Sequence, residues 1–290
     1  MPLCSPSATR LFALLSVLLT GCTMDVGLSD REKHPINPVN VQFQSLSSAP
    51  GKTLREINQA DLQEGDLLFS STIGLKSLGI RILSTSSVSH VAVYIGEGQV
   101  AEAVGEGVQI ISLKAALTHS DKMFALRIPD LTPEQASQIR QFASQKAGSR
   151  YNYLGIAEMV PFMMTKQLCS LNPFSADFRQ QCVKGLAAAQ LKAPTGAESS
   201  YFCSEFVIAA FENAGHPLTL AAPGWVSPGD LLHMREGDIA TLAPSKALVY
   251  VGHIKPGIYL RSRALAKNQA PHPNPLPQGE GTDRVGLEVQ

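Results

Sequence analysis

The sequence predicts an α+β domain with an antiparallel sheet and helices set apart from it. Three observations carry this. Short β-prone runs flanked by glycines crowd residues 66–113, the strongest helical patterns fall outside that stretch at 132–147 and 203–214, and no internal repeat is visible. Strands grouped together, with helices segregated from them, argue against the alternation of a doubly wound sheet.

The first strand-like run is Asp66-Leu67-Leu68-Phe69, and a helix-like stretch over Leu75–Leu83 follows, weakened by Gly79. Val88–Ile95, Gln99–Val104 and Val108–Leu113 come next, the first two joined by Gly96-Glu97-Gly98. Turn glycines at this spacing predict a meander of antiparallel strands. Thr132-Pro133-Glu134 opens a helix, with a capping side chain and proline at the first position. Ala136, Ile139, Phe142, Ala143 and Ala147 keep helical spacing, and Gly148 ends the pattern. Residues 154–198 are rich in Met and Ala and read as helical segments with a loop between Cys169 and Cys182. Cys203–Ala214 is a further helix closed by Gly215, and Ala247–Val251 and Gly257–Leu260 are late strand-like runs.

The chain has 290 residues, 44% hydrophobic and 17% charged, which is too apolar for disorder. Lys+Arg and Asp+Glu are equal at 24 each, whereas a nucleic-acid binder carries a basic excess. No apolar run of about 18 residues lies beyond the N-terminus, which excludes a multi-span membrane protein.

Residues 1–22 read as a targeting segment, with Arg10 as the positive charge and Leu11–Leu19 as a short apolar core. Leu19-Thr20-Gly21-Cys22 resembles the bacterial lipobox, whose cysteine is acylated and becomes the mature N-terminus. The resemblance implies a lipoprotein signal peptide at 1–21 and a palmitate-bearing anchor on Cys22. Because Thr23 rather than Asp follows, it also implies sorting to the outer membrane. Each buried CH2 of an acyl chain contributes about 0.8 kcal/mol, so a multiply acylated cysteine anchors firmly. Residues 22–58, polar and carrying Pro35, Pro38, Pro50 and Gly51, are expected to be a tether. Residues 264–290 have no aromatics and alternate Pro271, Pro273, Pro275 and Pro277, the pattern of a disordered tail.

Export would place the body in a disulfide-permissive compartment. Cys4 leaves with the signal and Cys22 carries lipid, so Cys169, Cys182 and Cys203 remain. Three is odd, and one thiol stays free unless it pairs between chains. Cys169 and Cys182 flank a polar segment and could close a short loop, leaving Cys203 unpaired. A thiol kept in an oxidising space is either a buried, inert residue or a nucleophile.

A cysteine nucleophile needs an imidazole, and a group to orient that imidazole. Cys203 opens its helix, where unsatisfied N–H groups and the dipole favour an anion. Phe206, Val207, Ala210 and Ala214 share its face, but no Ser, Thr or Asp cap precedes it, so the helix start is open by a turn. Of seven histidines, His34 and His272 fall in the chain ends, and His119, His216, His233 and His253 sit in or beside turn-like sequence and read as surface residues. His90 lies inside the apolar run Val88–Ile95, where an unpartnered ring would be costly. With Gly96-Glu97-Gly98 as the hairpin centre, His90 falls opposite Val104 and Ala92 opposite Glu102. That register puts His90 and Glu102 diagonally on one face. Such a pair either satisfies a core or orients a base. Cys203, His90 and Glu102 could also ligate zinc, but no Cys-x-x-Cys or His-Glu-x-x-His spacing supports a metal site. No phosphate loop and no Gly-x-Ser-x-Gly elbow is present.

Gly65-Asp66-Leu67-Leu68-Phe69, Ser89-His90-Val91-Ala92-Val93-Tyr94-Ile95-Gly96-Glu97-Gly98 and Tyr201-Phe202-Cys203-Ser204-Glu205-Phe206-Val207 together resemble the NlpC-type papain-like cysteine peptidases and amidases. The cysteine helix follows the histidine strand, the reverse of the ordinary order, as in the circularly permuted YaeF/YiiX-type branch. The resemblance covers residues 60 to 260. It implies a permuted papain-like catalytic domain at 59–263, with a small antiparallel barrel-like sheet packed against the helix bearing the nucleophile. Carried over by position, Cys203 matches the nucleophile, His90 the general base and Glu102 the polar third residue. Tyr151 and Tyr153, from a similar family segment, and Tyr201 are candidates for lining the cleft. No cofactor is implied, and the segment around 160–198 departs from the pattern as an insertion.

The function that follows is a thiol hydrolase of the cell envelope, lipid-anchored at the periplasmic face of the outer membrane. It would cleave a peptidoglycan stem peptide, or another peptide or lipid amide, through an acyl-enzyme. Two other readings stand beside it: an acyltransferase or thioesterase on lipid acyl groups using the same thiol, and a non-catalytic lipoprotein that binds cell wall. No nucleic-acid partner is expected, and the oligomeric state is not legible.

Overall fold

In the computed structural model, the described residues are 23–28, 39–45, 47–48, 54–71, 86–169, 176–189 and 200–257. The signal peptide, Cys22, the helix-like stretch at 75–83 and the C-terminal tail lie outside them, as do residues 258–260 of the last strand-like run.

The strands in chain order are β1 (Met24–Leu28), β2 (Val39–Phe43), β3 (Leu67–Ser71), β4 (His90–Gly96), β5 (Gln99–Val104), β6 (Gly107–Ser112), β7 (Lys122–Arg127), β8 (Arg150–Tyr151), β9 (Ser200–Tyr201) and β10 (Val249–Lys255). The helices are α1 (Leu113–Thr118), α2 (Pro133–Lys146), α3 (Tyr153–Cys169), α4 (Ala176–Ala189), α5 (Cys203–Asn213) and α6 (Pro228–His233). Six strands form one sheet in the order β10-β7-β3-β4-β5-β6, antiparallel throughout. The mixed α+β architecture is the one the sequence predicts.

Both faces of this sheet are covered, because successive side chains point to opposite sides. Phe69, Val91, Val93, Phe124 and Leu126 pack with Phe206, Val207, Ala210 and Phe211 of α5 and with Ile139 and Phe142 of α2. Leu68, Ala92, Tyr94, Val100 and Ala125 face the other way, onto Ile57, Leu62, Leu113 and Ala116. Double burial explains why β7 escapes the sequence reading: Met123, Phe124, Ala125 and Leu126 are all buried, so the run shows no alternation and has no flanking glycines. In α2, Thr132 caps the N-terminus and Gly148 takes φ +85° just beyond the last turn, as the local signals predict.

Part of the segment read as a tether is folded. β1 and β2 pair into an antiparallel ribbon, and Asp25 pairs with the buried Arg179 of α4 at 3.0 Å. The Gln44 side chain donates to the Ile239 carbonyl at 2.9 Å, and Arg235 reaches the carbonyls of Ser45 and Ser47 at 3.2 and 2.7 Å. Proline and polar content signalled a linker, but these long-range partners are invisible to composition.

The region around 160–198 contains the helical pair α3 and α4. A disulfide joins Cys169 to Cys182, with 5.7 Å between their Cα atoms, and Cys203 is a free thiol. Lys166 of α3 pins this pair to the body through a buried ion pair with Asp230 of α6 at 2.6 Å.

Candidate active site

The β4–β5 turn sets the site. Glu97 and Gly98 both take positive φ, 52° and 68°, the mirror-image turn whose twist matches the strands it joins. After a bulge at the turn, Tyr94 pairs with Val100 and Val93 with Ala101. The same register places Ala92 beside Glu102, so His90 and Glu102 lie diagonally on one face.

They are joined there. His90 Nε2 and Glu102 Oε2 are 2.7 Å apart. Gln109, directly across from Glu102 on β6, donates from Nε2 to Oε1 at 2.9 Å, so both carboxylate oxygens are held. His90 also hydrogen-bonds Cys203, which leaves Nδ1 as the nitrogen facing the thiol. Burial on its own would lower the His90 pKa. The hydrogen bonds to Cys203 and Glu102, with the negative charge they bring, outweigh burial and raise it from 6.5 to about 10. Burial pushes the Glu102 carboxyl up, but His90, Gln109 and nearby His119 bring it below the ordinary value.

Cys203 is the first residue of α5, 5% exposed, with Phe206, Val207 and Ala210 buried along the same side. Its helix start is fixed by residues the sequence reading did not single out. Glu205 Oε2 accepts from the Phe202 backbone N–H at 3.1 Å, doing the capping that no residue before the cysteine provides. The same oxygen accepts from Asn152 Nδ2 at 3.0 Å, and Asn152 Oδ1 in turn accepts from Gly155 N at 2.8 Å, capping α3. One Asn–Glu pair therefore ties the starts of α3 and α5 together. The signals were present: Asn three residues before a helical Gly, and Glu at the third position after Phe202. Burial raises the Glu205 pKa, and its two hydrogen bonds only partly oppose this.

A cleft of about 540 Å³ opens over these groups, with Ser70, His90, Glu102, His119, Tyr151 and Cys203 on its walls. The three tyrosines named from sequence separate here. Tyr151 lines the cleft, and burial raises its pKa. Tyr153 is 59% exposed, stacks edge-on against Tyr151 and donates to the Gly105 carbonyl at 3.2 Å, beside the cleft rather than within it. Tyr201 does not line the cleft: its ring packs edge-on against Phe142 of α2 and Phe206 of α5. His119, read as a simple surface residue, stands in the cleft wall. His233 and His253, read the same way, are buried at 4% and 0% exposure.

Residues 61–170 match the family model described as permuted papain-like amidase enzyme, YaeF/YiiX. The chain is also 55% identical to the probable lipoprotein peptidase YaeF of Escherichia coli strain K12 over 258 residues, 87% of this chain and 94% of that relative. This chain belongs to the permuted papain-like amidase family. The crystal structure of the metalloprotein YiiX from Escherichia coli O157:H7 matches 64% of this chain and 88% of that one at 18% identity, with a TM-score of 0.36, too low to inform the geometry here. As a member of the family the protein is a cysteine peptidase/amidase, and the binding-only reading gives way. The order of His90 before Cys203 is the permuted order. Because the family match ends before Cys203, the pairing of that thiol with His90 rests on the site geometry described above.

Proposed function

We propose that this permuted papain-like amidase is a lipid-anchored envelope hydrolase that cleaves a peptide or lipid amide through an acyl-enzyme on Cys203. The supporting observation is His90 held between the Cys203 thiol and the Glu102 carboxylate in one cleft. His90, with its pKa raised, holds the proton taken from the thiol, and Cys203 Sγ attacks the amide carbonyl. His90 then passes that proton to the departing amine, and next draws one from the water that releases the acid. Glu102 fixes the ring and stabilises its cationic form. The backbone N–H of Cys203, at the helix start, would donate to the developing oxyanion.

The lipobox-like Leu19-Thr20-Gly21-Cys22, and the lipoprotein named in the relative, support an acyl anchor on Cys22 and an outer-membrane, periplasmic location. In that compartment a peptidoglycan stem peptide or a lipid amide is at hand. The polar cleft wall, with Ser70, Gln109 and His119, suits a peptide. A second reading, acyl transfer or thioester hydrolysis on lipid, is favoured by a small apolar pocket of about 30 Å³ that also touches Cys203, between Met159, Val160, Met163 and Phe202.

Mass spectrometry of murein fragments and lipid amides incubated with the protein, beside a Cys203→Ser control, tests both. Amine release that requires Cys203 supports hydrolysis, and acyl groups appearing on an added acceptor instead of water support transfer. Equal turnover by the control would remove the thiol from either mechanism.

A further inference from the structure

We propose that the β1–β2 ribbon is a membrane-docking plate, seated on the bilayer beside the acylated Cys22; the proposal rests on the reading of Cys22 as the lipid anchor. The register pairs Met24 with Phe43 and Val26 with Val41, so these four side chains share one face of the ribbon. Asp25 lies on the opposite face, and it is this face that turns to the body, where Asp25 pairs with the buried Arg179. The all-apolar face therefore points outward. Val41 is 47% and Phe43 64% exposed there, an inversion of the usual order in which the apolar side of a ribbon turns inward.

The path of the chain identifies the occupant. Thr23 is buried, and its carbonyl accepts from Gln44 N at 2.7 Å, so the ribbon is closed right up to the residue after Cys22. An extended chain spans at most about 3.6 Å per residue, which puts Cys22 within about 7 Å of the Met24–Phe43 pair. Acyl chains that enter the bilayer from Cys22 must bring this pair to headgroup depth, where an exposed phenylalanine and valines lose contact with water. The anchor has no slack, and the ribbon fixes which side of the catalytic domain meets the membrane.

The test uses the full chain reconstituted in phosphatidylethanolamine–phosphatidylglycerol vesicles, with and without bromine on the acyl chains. Trp225 is the single tryptophan and is buried, so it supplies a constant background. The indole introduced by Phe43→Trp, or by Val41→Trp should the first variant fold poorly, is expected to lose at least half of its emission in brominated vesicles. The indole of Gln42→Trp, on the Asp25 face that turns to the body, should lose far less. Intact mass reads acylation of Cys22 separately. Acylated, vesicle-bound protein whose Phe43→Trp indole is unquenched overturns the docking plate and leaves the anchor standing. Quenching in a chain without acyl groups keeps the plate and removes the anchor. Dimeric protein in which bromine has no effect assigns the face to a second copy and also overturns the proposal.

Discussion

Gln109 sits directly across the β5–β6 ladder from Glu102 and holds the carboxylate oxygen that His90 does not, at 2.9 Å. With both oxygens tied, Glu102 has one orientation, and so does the imidazole it meets.

This arrangement predicts a graded series. Cys203→Ala and His90→Ala are expected to abolish turnover and leave the fold intact. Glu102→Gln keeps a hydrogen-bonding group without the charge and is impaired less than His90→Ala, with Glu102→Ala between the two. Losing one such oriented contact costs about 1.5–3 kcal/mol, or roughly 10- to 100-fold in kcat/KM. The His90 pKa is raised to about 10 partly by Glu102, so removing that carboxylate moves the alkaline limb of kcat/KM to lower pH. Gln109→Leu frees one carboxylate oxygen and loosens the orientation of the ring, and should lower kcat/KM by less than Glu102→Ala. Unchanged pH profiles and turnover in Glu102→Ala would mean that another group orients His90.

Glu205 acts one step further out, as a positioning residue. It accepts from Phe202 N–H and from Asn152 Nδ2 while buried. Glu205→Ala leaves a buried backbone donor unsatisfied at the base of the cysteine helix, at a cost of about 1–3 kcal/mol in urea unfolding. It also lowers kcat more than it raises KM, because Cys203 is the next residue after the freed N–H. Glu205→Gln retains an acceptor and recovers most of both losses. If Glu205→Ala changes stability alone, the pair supports the fold without placing the thiol.

The contrast between these two sites shows what a sequence exposes. His90 and Glu102 were legible because one tight turn at Gly96-Glu97-Gly98 sets the register of everything that follows, and a polar ring in an apolar run needs a partner. Cys203 was legible because the cysteine count of the chain leaves one thiol over, and because a place at a helix start is a local property. Asn152 and Glu205 meet across 53 residues, and Asp25 meets Arg179 across 154, so local capping signals can mark single residues but not these pairings. β7 was hidden by burial on both faces, and His253 by its place in β10, whose partner β7 was not foreseen. Tyr201 was misplaced for a related reason: its ring meets Phe142 of α2, a partner far along the chain.

The α3–α4 pair yields a separable prediction. Non-reducing peptide mapping should recover Cys169 bridged to Cys182 and Cys203 alkylated. A native bridge contributes about 2–4 kcal/mol, so Cys169→Ser with Cys182→Ser should lower thermal stability visibly. Turnover should survive at more than half, because neither cysteine lies in the cleft wall and Lys166–Asp230 still pins α3. A bridge between Cys203 and either of the other two in active protein would contradict the thiol mechanism itself.

Acid should weaken the fold through His253. Its ring is fully buried, stacked on Phe124 at 5.0 Å, with Tyr250 hydroxyl at Nδ1 and Ser48 Oγ 3.0 Å from Nε2. A neutral ring with its proton on Nε2 satisfies both hydroxyls. Burial, and then the charges of Lys122 and Arg235, lower its pKa from 6.5 to about 3. Below pH 6.5 the unfolded chain therefore takes up a proton that the native chain refuses, and stability falls until the native ring also protonates near pH 3. The slope is at most about 1.4 kcal/mol per pH unit. Urea unfolding at pH 7, 6, 5 and 4 should show this decline, and His253→Gln, less stable at pH 7, should decline less steeply. Parallel slopes for the two proteins would show that His253 titrates alike in both states and that acid acts elsewhere.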